Sequence, residues 1–328
     1  MDFGFVLGSA ISQAIGVTAI IYCLAAMGLN LQFGYTGLLN FGQVAFVAVG
    51  AYSVGVIVVS LGMSLWLAIP CALLGAVVLA LILGIPTLRL RADYLAIVTI
   101  AASEIVRLLV RSIALRDFFG GADGINGKMG QAFHDLNPLP ADFDIPFLTW
   151  PRQDVWVIFW GYLIIALIAL LTFLLTRSPW GRVIKGIRED ETAVIALGKN
   201  TYIYKMQALI LGGMIGAVGG IIWAVAKQSV QPDNFVPDVT FFAYTILLLG
   251  GAARVFGPIV GAVIFWFLLV FIGQFLTEAI NAGWISFLEP TDVGPIRFIL
   301  VGIGLMLLMI FRPQGIFGDR KELALDAR

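Results

Sequence analysis

One stretch decides the fold: LWLAIPCALLGAVVLALILGI, residues 65–85, contains no charged side chain. An α-helix of about 20 apolar residues crosses the roughly 30 Å hydrocarbon core of a bilayer. The rest of the chain has the same character, because 60% of its 328 residues are hydrophobic and only 12% are charged. A soluble globular protein carries about 25% charged residues. The composition therefore predicts an all-α protein that crosses a membrane several times.

Similar apolar runs recur along the chain, and we predict a polytopic transmembrane helical bundle with about nine membrane segments. The other eight runs are Phe5–Met27, Val44–Ser60, Leu95–Ile113, Asp154–Thr176, Met206–Ala226, Phe241–Ala253, Phe256–Phe275 and Phe298–Phe311. One of them, Phe241–Ala253, is short or belongs to a broken helix. The first run has no basic segment before it, so we interpret it as a membrane helix and not as a signal peptide. We expect residues 1–328 to form a single membrane domain.

Basic residues predict the orientation, since Lys and Arg concentrate in cytoplasmic loops. They crowd a loop at residues 177–205 and recur at Arg89, Arg91 and in the tail from Arg312 to Arg328. The loop at residues 114–153 and the loop Thr277–Pro295 hold more acidic than basic residues. Nine alternating segments satisfy all these assignments with the N-terminus outside and the C-terminus in the cytoplasm.

A polar stretch, GLNLQFGYTGLLNFGQ at residues 28–43, lies between the first two apolar runs. Six of its side chains cannot face lipid without a large cost: Asn30, Gln32, Tyr35, Thr36, Asn40 and Gln43. Irregular backbone at membrane depth is tolerated where protein buries it or where it lines a watery cavity. We predict a structured element at or near a transport pathway. The alternative is a plain cytoplasmic turn.

A second polar cluster lies in the fourth run. Glu104, Arg107 and Arg111 follow at spacings of three and four, which places them on one helical face, with Thr99 and Ser103 nearby. They could line the pathway of a polar or zwitterionic solute. The alternative is a structural ion pair near the outer end of the helix.

Glycines predict close packing and turns. Gly212, Gly216 and Gly220 recur every four residues, a spacing that lets membrane helices approach closely. The segment GGAARVFGP, residues 250–258, predicts a tight cytoplasmic turn with Arg254 anchored at the interface.

The sequence of the 177–205 loop predicts a short amphipathic helix after Pro179 that ends at Gly198. Its charged patch is Arg188, Glu189, Asp190 and Glu191, and its apolar residues are Ile184, Ile187, Val194, Ile195 and Leu197. Such a helix could dock into the groove of a partner or lie on the membrane.

No catalytic motif is found, and the cytoplasmic segments are too small to hold a catalytic domain. His134, Cys23 and Cys71 are scattered, so we expect no metal site. We predict that the chain is not an enzyme and binds no cofactor, and that any ATP is hydrolysed by another chain.

Five segments together resemble the LivM-type permeases of branched-chain amino acid ABC importers, a family that also includes urea and amide permeases. They are residues 28–43, RLRADYLAIVT (89–99) with EIVR (104–107), GGADG (120–124), IREDE (187–191) with ALG (196–198), and LLLGGAARVFGP (247–258). The resemblance implies a multi-pass subunit of the bacterial inner membrane. Its implied partners are a second permease, two cytoplasmic ATPases and an extracytoplasmic solute-binding protein.

The resemblance implies that the 177–205 loop, called the coupling loop from here on, contacts an ATPase through Arg188, Glu189, Asp190, Glu191 and Gly198. The solute would be a branched-chain or related neutral amino acid. A urea or short-amide importer, and a secondary carrier that works without ATP, remain alternatives.

Overall fold

The computed structural model describes residues 3–90, 92–145, 148–284, 289–312 and 314–318. Its long helices are α1 (Phe3–Ile15), α2 (Val17–Leu29), α3 (Gln43–Gly55), α4 (Leu65–Thr87), α5 (Ala92–Arg111), α8 (Arg152–Arg177), α11 (Thr201–Lys227), α12 (Asp238–Gly250), α13 (Gly257–Asn281) and α14 (Val293–Phe311). Two of them continue as π-helical turns, α2 through Asn30–Gly34 and α3 through Val56–Ser60. The shorter helices are α6 (Arg116–Phe119), α7 (Gln131–His134), α9 (Pro179–Glu189) and α10 (Glu191–Ala196).

The predicted multi-span helical bundle is confirmed. Within the described residues, seven helices are long and apolar enough to cross a membrane: α2 and α3 with their π-helical turns, α4, α8, α11, α13 and α14. Two further helices match the weakest predicted segments. Helix α5 is continuous but contains four charged residues, and α12 has only 13 residues.

The prediction of one first span, Phe5–Met27, is wrong. Gly16 has an extended backbone (φ −76°, ψ 179°), and this ends α1 and starts α2 as a separate helix. The first long candidate span is therefore Val17–Gly34, which reaches seven residues beyond Met27. Helix α1 packs mainly along α13, so the chain contains one helix more than the apolar pattern indicates. The side of the membrane on which each end lies stays a prediction.

Helix α11 lies at the centre of the bundle, against α2, α3 and α4. A methyl group on Gly212 would collide with the backbone oxygen of Gly28, and one on Gly220 would collide with the backbone oxygen of Val47. A methyl group on Gly216 would likewise collide with the carboxamide of Gln43. The close packing predicted from the glycine spacing is therefore confirmed.

The predicted loop at 114–153 contains several short elements. Its strand β1 (Ile125–Asn126) pairs antiparallel with β4 (Ser229–Val230), which follows α11, and β2 (Phe143–Ile145) pairs with β3 (Leu148–Trp150). Ring Nε2 of His134 lies 3.1 Å from the backbone oxygen of Val225. The loop is thus fastened to the end of α11. The basic tail residues Arg320, Lys321 and Arg328 lie outside the described residues.

Candidate functional site

The polar stretch is a buried, ordered connection between α2 and α3 and not a plain turn. The side chains of Gln32 and Gln43 are fully buried, and Asn30, Thr36 and Asn40 are almost so. The backbone runs through the π-helical turn, bends at Gly37 with φ +75°, and then enters α3. The predicted structured element is confirmed, whereas its place on a transport pathway stays a prediction.

Carboxamides join the polar stretch to α11. Asn40 Nδ2 donates to Gln32 Oε1 at 2.8 Å, and Gln32 Nε2 donates to the backbone oxygen of Leu209 at 3.2 Å. Gln43 Nε2 donates to the backbone oxygen of Gly212 at 3.0 Å. A buried amide without a partner costs about 1–3 kcal/mol. These bonds therefore hold the side chains in one arrangement.

Asn30 fastens the turn between α12 and α13. Its Oδ1 accepts a hydrogen bond from the backbone N–H of Ala253 at 2.9 Å, and its Nδ2 donates to the backbone oxygen of Arg254 at 2.8 Å. The predicted turn is present, with Gly251 at φ +109° and Ala253 at φ +58°. The sequence predicts Arg254 of this turn at the membrane interface. Its neighbours Gly251 and Ala253 are instead buried against protein.

Helices α5 and α12 also contact the polar stretch. The backbone N–H of Phe41 donates to Thr99 Oγ1 at 3.0 Å, and the hydroxyl of Tyr244 donates to the backbone oxygen of Asn40 at 3.1 Å. The ring of Tyr244 stacks on Phe41 with centroids 4.6 Å apart. Five separate parts of the chain thus meet here: α2, α5, α11, α12 and the turn before α13.

Tyr35, Thr36 and Ser103 are placed differently. Tyr35 is buried, and Lys185 Nζ of the coupling loop lies 5.6 Å from its ring centroid. Thr36 Oγ1 donates to the backbone oxygen of Leu31 within the polar stretch itself. Ser103 Oγ donates to the backbone oxygen of Ile100 in its own helix at 2.7 Å. Ser103 is therefore not joined to the others by a hydrogen bond.

The charged residues of α5 form ion pairs. Arg107 contacts Glu104 at 2.9 Å and Asp233 at 3.3 Å, and Arg111 contacts Asp233 at 2.9 Å. Asp233 lies in the 3₁₀ turn Pro232–Asn234 between α11 and α12. The Glu104–Arg107 pair agrees with the structural alternative, and a role in the pathway stays a prediction.

The coupling loop forms two capped helices. Ser178 Oγ accepts from the backbone N–H of Gly181 at the start of α9, and Asp190 Oδ1 accepts from those of Thr192 and Ala193 at the start of α10. The Thr192 hydroxyl also donates to Asp190, and these bonds lower the pKa of its carboxyl. Gly198 follows α10 with φ +76°, so the predicted helix stop is confirmed.

Arg188 faces the membrane domain. Its NH1 donates to the backbone oxygen of Gly34 at 2.7 Å. The bend at Gly37 packs against the same side chain, because a methyl group on Gly37 would lie 3.2 Å from Arg188 Cγ. Glu189 and Asp190 are exposed, whereas Glu191 pairs with Lys205 of α11 at 2.5 Å. The predicted coupling residues therefore divide into an inward and an outward set.

The apolar residues of the coupling loop also divide. Ile184, Ile187 and Val194 are buried against the protein, as the amphipathic pattern predicts. Ile195 and Leu197 are 54% and 79% exposed, so they do not share that face. The prediction of one shared apolar face is therefore wrong for Ile195 and Leu197. The extended backbone of Asp190 (φ −152°, ψ 100°) ends α9 and separates it from α10.

Two contributors to the site were missed by the sequence analysis. Thr240 Oγ1 accepts from the backbone N–H of Val44 at the start of α3, and Asp233 joins the charges of α5. Both are separated by more than 100 residues from their partners, so no local spacing could have identified them. The acidic character of Asp233 next to an apolar helix was the only available signal.

Comparisons with known proteins agree with this architecture. Residues 12–310 match the family described as branched-chain amino acid transport system / permease component. The chain is 30% identical over 321 residues to the high-affinity branched-chain amino acid transport system permease protein LivM of Escherichia coli, covering 92% of this chain and 69% of that protein. It is 27% identical over 336 residues to a probable LivM permease of Methanocaldococcus jannaschii, covering 92% and 91%.

More distant relatives include the E. coli permease LivH, at 24% identity over 311 residues that cover 90% of this chain and 91% of that protein. The nucleoside ABC transporter permease NupC of Lactococcus lactis is 26% identical over 227 residues, 65% of this chain and 67% of that one. The match spans nearly all of the membrane-spanning helices, and the chain belongs to the family of permease components of branched-chain amino acid transport systems.

Proposed function

We propose that this chain is the membrane-spanning permease subunit of an ATP-driven importer of branched-chain or related neutral hydrophobic amino acids. The family and the substrates in the names of its LivM relatives support the proposal. The chain would pair with a second permease of the LivH kind. Two cytoplasmic ATPases would hydrolyse ATP, and an extracytoplasmic binding protein would deliver the solute. The assembly would lie in the bacterial plasma membrane with the C-terminus of this chain in the cytoplasm.

The single observation that carries the mechanism is the hydrogen bond from Arg188 to the backbone oxygen of Gly34. A coupling element must contact an ATPase on one side and a movable part of the permease on the other. Here Ile195 and Leu197 are exposed on the outward side, and Arg188 holds the polar stretch on the inward side. An apolar, helical surface of this kind suits docking into a groove of a partner.

The polar stretch would transmit the movement of the coupling loop. Its carboxamides bind α11, and its Asn30 holds the turn before α13. A displacement of Arg188 would therefore reach several membrane helices at once. We propose alternating access: closure of the ATPases shifts the coupling loop and opens the space between the two permeases to the other side. The solute must bind the two states differently for such a cycle to move it.

An apolar cavity of about 380 Å³ lies between α3 and α5. Its walls include Val49, Tyr52, Val106, Val110 and Phe119. Aliphatic and aromatic walls suit the side chain of a branched-chain amino acid. The Glu104–Arg107 pair lies on the same helix, α5, and would supply charges for a zwitterion at the neighbouring surface.

Reconstitution tests the proposal. Proteoliposomes that contain both permeases and both ATPases should take up labelled leucine only with ATP and purified binding protein. Uptake by this chain alone without ATP, with dependence on an ion gradient, would show a secondary carrier. Uptake of urea or a short amide in place of leucine would move the chain to that branch of the family. Glu189 and Asp190 variants with normal assembly, ATPase stimulation and uptake would contradict their coupling role.

A further inference from the structure

A second cavity, of about 470 Å³, is lined mainly by residues of α1, α13 and α14. It does not touch the polar stretch. We call it the α1–α13–α14 groove. Its polar lining consists of Ser9, Ser12, Gln13, Thr18, Trp266, Gln274 and Arg297. A polar groove between membrane helices is costly unless something polar occupies it.

Arg297 carries the charge of this groove. It is the fifth residue of α14, and its side chain lies beside Gly273 of α13, where a methyl group would be 3.3 Å from Cδ. Its guanidinium lies 5.0 Å from the ring centroid of Phe298. Across the described part of the chain, no carboxylate pairs with Arg297 and no acceptor meets its buried Nε. None of the described residues therefore supplies an anion for its charge.

Other donors point to the same kind of ligand. Ser12 Oγ accepts a hydrogen bond from Trp150 Nε1 at 2.7 Å, so the proton of its own hydroxyl remains available to a ligand. Ser9 and the carboxamides of Gln13 and Gln274 add further donors in the groove. Four donor side chains around one guanidinium match the several acceptor oxygens of a phosphate group.

The surroundings of the groove indicate that the phosphate belongs to a lipid. Arg297 lies four residues, about 6 Å, from the start of α14. If α14 spans the hydrocarbon core, a long arginine side chain at this position can reach the headgroup boundary. Exposed apolar side chains lie one helical turn from the lining residues, Phe5 next to Ser9 on α1 and Leu300 next to Arg297 on α14. Acyl chains can lie along these side chains while the phosphate faces Arg297.

We propose that the α1–α13–α14 groove binds the phosphate group of a membrane phospholipid through Arg297, Ser9, Ser12, Gln13 and Gln274. This site is independent of the amino acid pathway and of the coupling loop. It would anchor α14, of which only Val293 is fully buried, to α1 and α13. The lipid would thus be a structural part of the subunit.

Native mass spectrometry of the full chain in detergent tests the proposal. Wild-type protein should retain a phospholipid through delipidation. R297Q should retain it at least about tenfold less, because a charge-assisted hydrogen bond is lost. The matched control is R177Q: Arg177 also stacks on a neighbouring ring, with its guanidinium 4.0 Å from Phe173, but lies outside the groove. R177Q should behave as wild type.

Added ligands identify the source of the anion. Phosphatidylglycerol and phosphatidylethanolamine should rebind, whereas diacylglycerol, which lacks a phosphate, should not. Equal binding of diacylglycerol, or displacement of the lipid by inorganic phosphate or leucine, would overturn the proposal. S9L fills the groove and keeps the charge, so it should expel the lipid even if R297Q does not fold. Unchanged lipid retention in S9L would refute the site.

Discussion

Arg188 of the coupling loop and Gly34 of the polar stretch are 154 positions apart in the sequence, yet a hydrogen bond of 2.7 Å joins the guanidinium of one to the backbone oxygen of the other. The bond connects a loop outside the apolar spans to the end of the π-helical turn of α2. The guanidinium thus contacts a backbone oxygen of a segment that buried carboxamides hold in place.

We expect R188Q to uncouple the importer. The variant should assemble, but uptake should fall at least about tenfold relative to ATP hydrolysis, because the charge-assisted bond to Gly34 is lost. Uptake and ATPase rates measured in the same proteoliposomes give this ratio. R116Q serves as control, since Arg116 is exposed and pairs with Asp123 in the 114–153 loop. An unchanged ratio in R188Q would rule out transmission through this bond.

The bend at Gly37 should tolerate alanine less well than the helix stop at Gly198. G37A and G198A both place alanine at a positive φ, +75° and +76°, which costs about 1 kcal/mol in each case. A methyl group on Gly37 would also press on Arg188, whereas nothing lies within 4 Å of one on Gly198. Thermal unfolding in detergent should therefore show a larger loss for G37A. Equal losses would mean that Arg188 moves aside freely.

Removal of the Asn30 carboxamide should loosen the turn before α13. N30A leaves the buried N–H of Ala253 without its acceptor, and we expect a loss of about 1–3 kcal/mol in the free energy of unfolding. Hydrogen exchange should speed up at Ala253 in particular. Q153A, which changes an exposed carboxamide at the start of α8, is the stability control. Unaltered exchange at Ala253 in N30A would contradict the bracing role.

Asp190 should act as a helix cap and not only as a charge. D190N keeps an acceptor for the N–H groups of Thr192 and Ala193, and should retain α10, whereas D190A should fray it. The pKa of Asp190 is lowered, so the stabilisation by its carboxylate is present above the pKa of the unfolded chain. It is lost as the pH falls through the lowered pKa of the folded state.

Proteolysis of the coupling loop measures this fraying. D190A should be cleaved faster than wild type and D190N at neutral pH. In strong acid the wild-type loop should become about as sensitive as that of D190N, because a protonated carboxyl keeps an acceptor but loses the charge. Similar cleavage of D190N and D190A at neutral pH would show that the charge, not the cap, protects α10.

Much of this fold follows from residue types in the sequence. Apolar runs predict the spans because lipid demands them, and the four-residue glycine spacing predicts the packing of α11. The break at Gly16 escapes prediction, because a glycine inside an apolar run is compatible with a continuous helix. One extended backbone angle at this residue adds a helix to the bundle.

The site is less predictable than the spans. The polar stretch is evident, since buried carboxamides in an apolar chain need partners. Their identity is not, because the backbone oxygens of Leu209 and Gly212 belong to ordinary apolar sequence. The Glu104–Arg107 pair follows from helical spacing, but the contact of Arg107 with Asp233 depends on the tertiary fold.

The backbone contacts of Gly212 and Gly220 have a mechanical consequence. Helices that meet through side chains can slide past each other as rotamers change, whereas helices that meet through backbone atoms have no such freedom. We therefore expect α2, α3 and α11 to move as one rigid body. The displacement that opens and closes the permease must then occur among the outer helices, which pack around this rigid body through side chains.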